Sequence, residues 1–360
     1  MASLKQQFDE LFGKLNPGTV FGIDIGAHSI KVCELSGSPG KFKIEKFSTF
    51  TLSEATLIED EFQKPSEIIE GIIEACNKAN IKSKIACVGL FGPNTMTKRL
   101  SVPEGSREEI EDHIMWEAEQ YITFGVDDSQ ISFHIIGENE GGGKDALVAA
   151  AQMELIETFS KTLSECKITL KVVDLNVLAL SNVFEEAYRK NIDEYAQGAL
   201  LIDYGAQSTK IIVYKNGGPI FTKELLIGSS LITEEIQRQM GVSYEEAEDL
   251  KTSVDDNGNL PEEILNILNS HLDNHLSEIR KNINFYVTHG SAEKVDYCFV
   301  SGGGSLVPGF IEKLEAVSGL SVERLNLMNA FKMNAKGNFS EEEFSAIAAT
   351  VVGLAMRKVN

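Results

Sequence analysis

The sequence predicts an α/β protein made of two halves that share one plan, and three observations support this prediction. A nine-residue pattern, I-D-x-G-A-x-S-x-K, occurs at residues 23–31 and again at residues 202–210. Strand-like runs alternate with amphipathic helical runs in both halves, which is the order typical of α/β folds. A third glycine-rich stretch, residues 301–310, joins an apolar strand to a helix in the second half.

Each copy of the repeated pattern predicts a β-hairpin. Apolar residues precede it, a turn containing Gly26 or Gly205 interrupts the strand, and the strand resumes after the turn. Two such turns facing each other could hold a polyphosphate, because their backbone N–H groups would donate to phosphate oxygens. Asp24 and Asp203 would organise a hydrated magnesium ion between them. The alternative is two unrelated hairpins, in which the Asp and Gly residues serve turn geometry alone.

The rest of the first half contains an insertion. After the first hairpin, the sequence predicts a strand over 41–52, an amphipathic helix over 66–79 and a strand over 85–90. Residues 95–168 have a different order of predicted elements: a strand, an acidic helix that carries the only tryptophan, two strands joined by a turn, and a second helix. We predict that this β-α-β-β-α unit is an inserted subdomain.

The second half begins after a strand over 169–176 and a helix over 177–190. The pattern then repeats, and further elements follow it: a strand over 219–227, helices over 231–240, 243–251 and 261–286, a strand over 295–300, and helices over 308–318 and 345–356.

These elements predict eight segments. They are an N-terminal amphipathic segment (1–18), the first domain in two parts (19–94 and 169–198) around the inserted subdomain (95–168), the second domain in two parts (199–227 and 290–344) around a small helical subdomain (228–289), and a C-terminal hinge helix (345–360).

The bulk composition excludes several classes of protein. The chain has 360 residues and a formal charge of −21, which opposes binding to nucleic acid or to anionic lipid. Five scattered cysteines indicate a reducing compartment, and no secretory signal or membrane-spanning run is found. We therefore expect a cytoplasmic protein.

The first 15 residues place their apolar side chains on one helical face. A short helix docked on the body and a segment in weak contact with a membrane both fit this pattern.

The glycine-rich stretch at 301–310 predicts contact with a ligand, because glycines let the backbone approach it closely and a helix N-terminus favours anionic or polar groups. A tight strand-to-helix turn is the alternative. Gly228 also precedes a predicted helix. Glu248 and Lys251 share one helical face, where a solvent-exposed ion pair is the alternative.

With these motifs in this order, the chain resembles the actin-like ATPase superfamily. Residues 24–29 look like its first phosphate motif, 203–209 like its second, and 301–310 like its adenosine motif. Residues 172–180 and 346–354 look like its two connecting hinge segments. The resemblance implies two duplicated α/β domains around a nucleotide cleft.

The resemblance also implies a set of site residues. Asp24 and Asp203 would hold Mg²⁺ through water, and Asp203 is the candidate catalytic residue. The residues expected to contact ATP are Gly26, Ala27, His28, Ser29, Lys31, Gly205, Ala206, Gln207, Ser208, Thr209, Gly228, Glu248, Lys251, Gly302, Gly303 and Gly304.

One position departs from the strongly hydrolytic members of the superfamily. Their first connecting segment carries a Gln or Glu that orients the attacking water, and the resemblance places Leu175 there, with Asp174 as its only acidic neighbour. We therefore predict ATP binding with weak or no ATP hydrolysis.

Within the superfamily, the inserted unit and the stretches 278–286, 300–304 and 352–357 resemble the PilM family of type IV pilus assembly proteins, which is related to the cell-division protein FtsA. The chain ends without the C-terminal linker and amphipathic helix by which FtsA reaches the membrane, and this favours PilM.

This resemblance implies a cytoplasmic ATP-binding adaptor of the pilus assembly platform. It would bind the N-terminal cytoplasmic tail of a PilN-type inner-membrane protein, in a groove between the inserted subdomain and the first domain. Other platform proteins and assembly ATPases are further expected partners, and membrane association would be indirect. An FtsA-like polymerising scaffold and a small-molecule kinase on the same fold are the alternatives.

Overall fold

The computed structural model of the chain describes residues 20–139, 141–190, 198–215, 217–253, 260–289, 295–335 and 339–358. The amphipathic segment predicted over residues 1–18 lies outside these ranges. None of the described helices combines the length and apolar composition needed to cross a membrane.

The elements follow the predicted order. The first half contains β1 (Phe21–Ile25), β2 (Ser29–Ser36), β3 (Lys43–Thr51), β4 (Leu57–Ile58), β5 (Glu61–Phe62), α1 (Pro65–Lys78) and β6 (Ile85–Leu90). Next come β7 (Thr95–Val102), α2 (Arg107–Ala118), β8 (Ser129–Glu138), β9 (Lys144–Gln152), α3 (Met153–Glu165), β10 (Thr169–Leu175) and α4 (Asn176–Ala187).

The second half starts with β11 (Ala199–Tyr204), β12 (Thr209–Lys215) and β13 (Gly218–Leu225), followed by α5 (Ser230–Met240), α6 (Tyr244–Thr252) and α7 (Glu262–His289). The remaining elements are β14 (Tyr297–Ser301), α8 (Phe310–Ser318), β15 (Ser321–Arg324), β16 (Lys332–Met333) and α9 (Glu341–Ala355).

Two sheets repeat one topology, which confirms the predicted duplicated α/β fold. Their strand orders are β10-β6-β1-β2-β3-β16 and β13-β12-β11-β14-β15. In the first sheet, β1 pairs antiparallel with β2 and parallel with β6. In the second, β11 pairs antiparallel with β12 and parallel with β14. Each repeated pattern is therefore the hairpin at the centre of its sheet.

Helices α4 and α9 lie between the two sheets and share one hydrophobic core with both. That core joins Leu35 and Ile44 of the first sheet to Leu201 and Phe299 of the second. Two further cores cover the outer faces, one formed with α1 and α3 and the other with α5, α7 and α8. Each half therefore buries both faces of its sheet, as parallel strand pairs require.

The two central helices approach each other very closely at a glycine. A Cβ atom added to Gly353 of α9 would lie 2.2 Å from the carbonyl oxygen of Ala179 in α4. Gly22 of β1 is equally constrained, since its Cβ would lie 2.5 Å from the Val351 oxygen. These glycines fix how tightly the hinge helices and the first sheet pack.

The insertion forms its own three-stranded sheet, in the order β7-β9-β8, with α2 packed on one face. Helix α3 behaves differently from the prediction that assigned it to this subdomain. Its apolar residues, such as Phe159 and Leu163, belong to the core of the first half. We therefore use the name insertion for residues 95–152 only.

Contacts outside the hinge helices also join the halves. The hydroxyls of Thr97 on β7 and Thr222 on β13 lie 2.6 Å apart, so the insertion touches the second half. Strand β16, which falls in the segment predicted as second domain (290–344), instead pairs with β3 at the edge of the first sheet.

Candidate functional site

A cleft of about 1340 Å³ separates the two halves, and both hairpin turns line it. The structure brings most of the predicted site residues together there: Asp24, Gly26, Ala27, His28, Ser29, Lys31, Asp203, Gly205, Ala206, Gln207, Ser208, Glu248, Lys251, Gly302, Gly303 and Gly304.

Each hairpin places an aspartate opposite a lysine. Asp24 and Lys31 are cross-strand partners in the first hairpin, as Asp203 and Lys210 are in the second. Cross-strand partners project from the same face of a sheet. The Lys31 Nζ atom lies 3.1 Å from an Asp24 oxygen, and the Lys210 Nζ atom lies 3.5 Å from an Asp203 oxygen. The duplication therefore sets two acid–ammonium pairs facing one cleft.

The ammonium group of Lys210 is buried in an acidic environment that the sequence did not reveal. Burial alone would lower its pKa, but the carboxylates of Glu224, Asp203 and Asp24 raise it above the ordinary lysine value. Lys210 therefore stays charged at neutral pH. Glu224 lines the cleft from β13 and lies 3.7 Å from the Lys210 Nζ atom.

Glycines allow the loop after β14 to pack against the end of β11. Gly302 has φ +89°, and a Cβ atom there would lie 2.3 Å from the Tyr204 carbonyl oxygen. A Cβ on Gly304 would lie 2.7 Å from the same oxygen. The glycine-rich stretch is thus required for backbone packing, and its remaining surface faces the cleft.

Two of the predicted nucleotide contacts do not line the cleft. Thr209 is fully buried, and its hydroxyl donates to the Ile227 carbonyl oxygen at 2.6 Å. Gly228 packs against the second turn, where a Cβ would lie 2.1 Å from the Ala206 oxygen. Both residues therefore support the second turn from behind.

A polar cluster on α5 and α6 also borders the cleft. The Lys251 Nζ atom donates to Glu248 at 2.6 Å and to the Thr233 hydroxyl at 2.9 Å. Burial lowers the pKa of Lys251. Burial would raise the pKa of Glu248, but Lys251 and Thr233 hold it below its usual value. Glu248 also lies 3.9 Å from the His28 imidazole of the first half. Burial lowers the pKa of His28, so this ring is neutral at pH 7.

The connecting segment presents Asn176 to the cleft, not Leu175. Both residues are buried, but Leu175 belongs to the first-half core, whereas Asn176 begins α4 and lines the cleft. The Asn176 Oδ1 atom is buried and has no hydrogen-bond partner within the described residues. Asp174 is turned away, since Arg357 binds its carboxylate at 2.5 and 2.8 Å.

The carboxylates fit a magnesium ion held largely through water and phosphate. Among the described residues, no three His, Cys, Asp or Glu side chains cluster closely enough to cage a metal. Mg²⁺ needs no such cage, because it usually keeps several waters and binds one or two carboxylates together with substrate phosphates. Asp24 and Asp203, one from each half, provide such a pair.

A buried pair behind the glycine-rich stretch should make stability depend on pH. The Tyr204 hydroxyl lies 2.7 Å from the His275 Nδ1 atom. Burial, and then the charge of His271, lower the pKa of His275 to about 4 from 6.5. Between pH 6.5 and about pH 4, the unfolded chain therefore binds a proton at His275 that the folded chain does not bind. Stability falls as the pH drops through this window.

We expect His275 to account for about 2 kcal/mol of the stability lost between pH 7 and pH 4, after a discount for solvent screening. Urea unfolding of His275→Gln at both pH values should show a correspondingly smaller loss than the wild type. Equal losses in the two proteins would contradict the prediction.

Two duplicated α/β halves, with a hairpin turn from each facing the cleft and a glycine-rich loop behind, define the actin-like ATPase fold. A family model described as type IV pilus assembly protein PilM matches residues 22–359. The chain therefore belongs to the PilM family.

Solved structures support the same fold. The chain resembles a structure described as a PilM-PilN type IV pilus biogenesis complex, with 23% identity, a TM-score of 0.81, and coverage of 95% of this chain and 98% of that one. It also resembles the ethanolamine utilization protein EutJ from Carboxydothermus hydrogenoformans, with 13% identity, a TM-score of 0.59, and coverage of 95% and 90%. A diol dehydratase-reactivating factor in nucleotide-free form matches with 10% identity, a TM-score of 0.53, and coverage of 93% and 98%.

Proposed function

We propose that the protein binds ATP and Mg²⁺ in the cleft and serves as a cytoplasmic adaptor of the type IV pilus assembly platform. In this role it binds the N-terminal cytoplasmic tail of a PilN-type inner-membrane protein and associates with the membrane through such partners. The observation that supports nucleotide binding is the pair of Asp–Lys hairpins facing one cleft.

The charges beside the two turns suit a polyphosphate. Lys31 and Lys210 supply two ammonium groups beside the turns, whose backbone N–H groups can donate to phosphate oxygens. Asp24 and Asp203 would hold the metal, which neutralises phosphate charge when it is bound. Glu248 and Lys251, which line the cleft from α6, would hold the nucleoside.

We propose that ATP hydrolysis is slow. Asn176 lines the cleft at the start of α4, and an amide cannot accept a proton from water. Asp174, the acidic neighbour, is held by Arg357. Bound ATP is then a lasting structural signal.

Family membership and the similarity to a PilM-PilN complex support the choice of partner. The insertion supports a link between the cleft and the partner, because it contacts the second half through Thr97 and Thr222. A change in the angle between the halves would therefore shift the insertion and the groove beside it. No observation favours the polymerising scaffold or the kinase over this adaptor.

Nucleotide binding is tested by isothermal titration calorimetry with ATP and Mg²⁺. We expect Asp203→Ala to bind ATP about tenfold more weakly, since one charge-assisted contact is worth roughly 1.5–3 kcal/mol. Asp273→Ala removes an exposed carboxylate on α7 and is the matched control. Equal affinity of Asp203→Ala and the control would refute the site.

Partner binding is tested with a fluorescently labelled peptide that corresponds to the cytoplasmic tail of the host's PilN-type protein. We expect saturable binding to the wild type, with an affinity that ATP changes. A protein that binds ATP but not the peptide would refute the adaptor role and leave the nucleotide site standing.

A further inference from the structure

The carboxylate of Glu224 occupies a site built from hydrogen-bond donors of both halves. The backbone N–H of Gly92, in the first half, donates to its Oε2 atom at 2.9 Å. The Ser208 hydroxyl, in the second turn, donates to its Oε1 atom at 2.6 Å. The Lys210 Nζ atom lies 3.7 Å from the same Oε1 atom. All four residues line the cleft.

This donor set is the one that proteins use to bind a phosphoryl group. A backbone N–H, a hydroxyl and an ammonium group are all donors to anionic oxygens, and charged acceptors make the stronger bonds. Ser208 and Lys210 belong to the second repeated pattern, which faces the cleft. An incoming phosphate that used them would compete with Glu224 for the same donors.

We propose that Glu224 is an internal substitute for the terminal phosphate of a nucleoside triphosphate. Its carboxylate holds the donors of Gly92, Ser208 and Lys210 until a third phosphate reaches the site and displaces it. A nucleoside diphosphate is one phosphate shorter and leaves Glu224 in place. This inference rests on the proposed nucleotide site and adds to it a means of distinguishing the triphosphate from the diphosphate.

The same strand connects Glu224 to the insertion. Thr222 lies two residues before Glu224 on β13, and thus on the same face of the strand, and its hydroxyl meets that of Thr97 on β7. Gly92 lies in the turn that leads into β7, where its carbonyl oxygen accepts from the Thr95 N–H at 3.2 Å. Displacement of Glu224 therefore releases one of the contacts by which the second half holds the base of the insertion.

The test compares the affinities for ATP and ADP, measured by calorimetry, in the wild type, Glu224→Gln and Glu234→Gln. The Glu224→Gln change keeps the shape of the side chain but removes the charge that competes for the donors. Glu234 is an exposed acid that also lines the cleft, so its replacement controls for the loss of one negative charge.

We expect Glu224→Gln to raise ATP affinity about tenfold and ADP affinity by less than about twofold. In Glu234→Gln, both affinities should rise by similar, small factors. Equal gains for ATP and ADP in Glu224→Gln would overturn the inference and leave the nucleotide site intact. Failure of both the wild type and Glu224→Gln to bind either nucleotide would overturn the proposed nucleotide site as well.

Amide hydrogen exchange at Gly92 separates displacement from simple charge repulsion. In the nucleotide-free wild type, the bond to Glu224 should protect this amide, and Glu224→Ala should lose the protection. In Glu224→Ala, ATP should restore the protection, because the third phosphate accepts from the Gly92 N–H, whereas ADP should not. No restored protection with ATP in Glu224→Ala would show that the phosphate does not use this donor, and would overturn the inference.

Discussion

A Gly228→Ala variant is expected to bind ATP at least about 100-fold more weakly than the wild type, although Gly228 does not line the cleft. The added methyl would lie 2.1 Å from the carbonyl oxygen and 2.4 Å from the carbonyl carbon of Ala206. The turn cannot yield freely, because the Ser229 and Ser230 N–H groups bond the oxygens of Gly205 and Ala206. The second turn must therefore move out of line with the first.

Calorimetry with ATP measures this loss, and circular dichroism with thermal unfolding shows whether the fold persists. Gly218→Ala is the control, since its methyl would meet only the Ile136 side chain at 3.5 Å, an ordinary contact, and Gly218 does not line the cleft. A folded Gly228→Ala variant with wild-type affinity would show that the position of the second turn does not matter for binding.

The second large effect concerns stability. Gly353→Ala should lower the free energy of unfolding by about 3 kcal/mol, at the upper end of the range for overpacked cores. The methyl would lie 2.2 Å from the Ala179 oxygen and 2.6 Å from its carbon, which are backbone atoms of the other hinge helix. Alanine favours an isolated helix by only about 1 kcal/mol over glycine, which does not offset this clash. Urea unfolding gives the measurement.

Gly137→Ala provides the comparison, because nothing lies within 4 Å of its methyl position on β8. Its free energy of unfolding should stay within about 0.5 kcal/mol of the wild type. If Gly353→Ala proves equally mild, the two hinge helices can separate at little cost, and their close packing does not limit motion between the halves.

The sequence alone predicted the elements that local patterns encode. The two hairpins follow from the repeated pattern, because apolar runs, a glycine turn and a fixed spacing occur within nine residues. The matching topology of the two sheets then follows from the duplication.

Features that depend on contacts between distant residues were not predicted. The amphipathic pattern of α3 shows that it buries one face but not which core receives it. Thr209 is polar and Gly228 is flexible, as residues that contact a ligand often are, yet both support the second turn instead. Glu224 lies outside every motif, and only the fold brings it to Lys210 and Gly92. Asn176 was missed by one residue, since a strand gives no signal of the exact position at which its helix begins.

The core shared by α4 and α9 has a consequence for folding. Duplicated domains often fold independently, but here each half would expose one side of that shared core if the other were absent. Strand β16 adds to this dependence, because residues late in the chain complete the edge of the first sheet. The halves should therefore melt in one cooperative transition, and neither should be stable when it is expressed without the other.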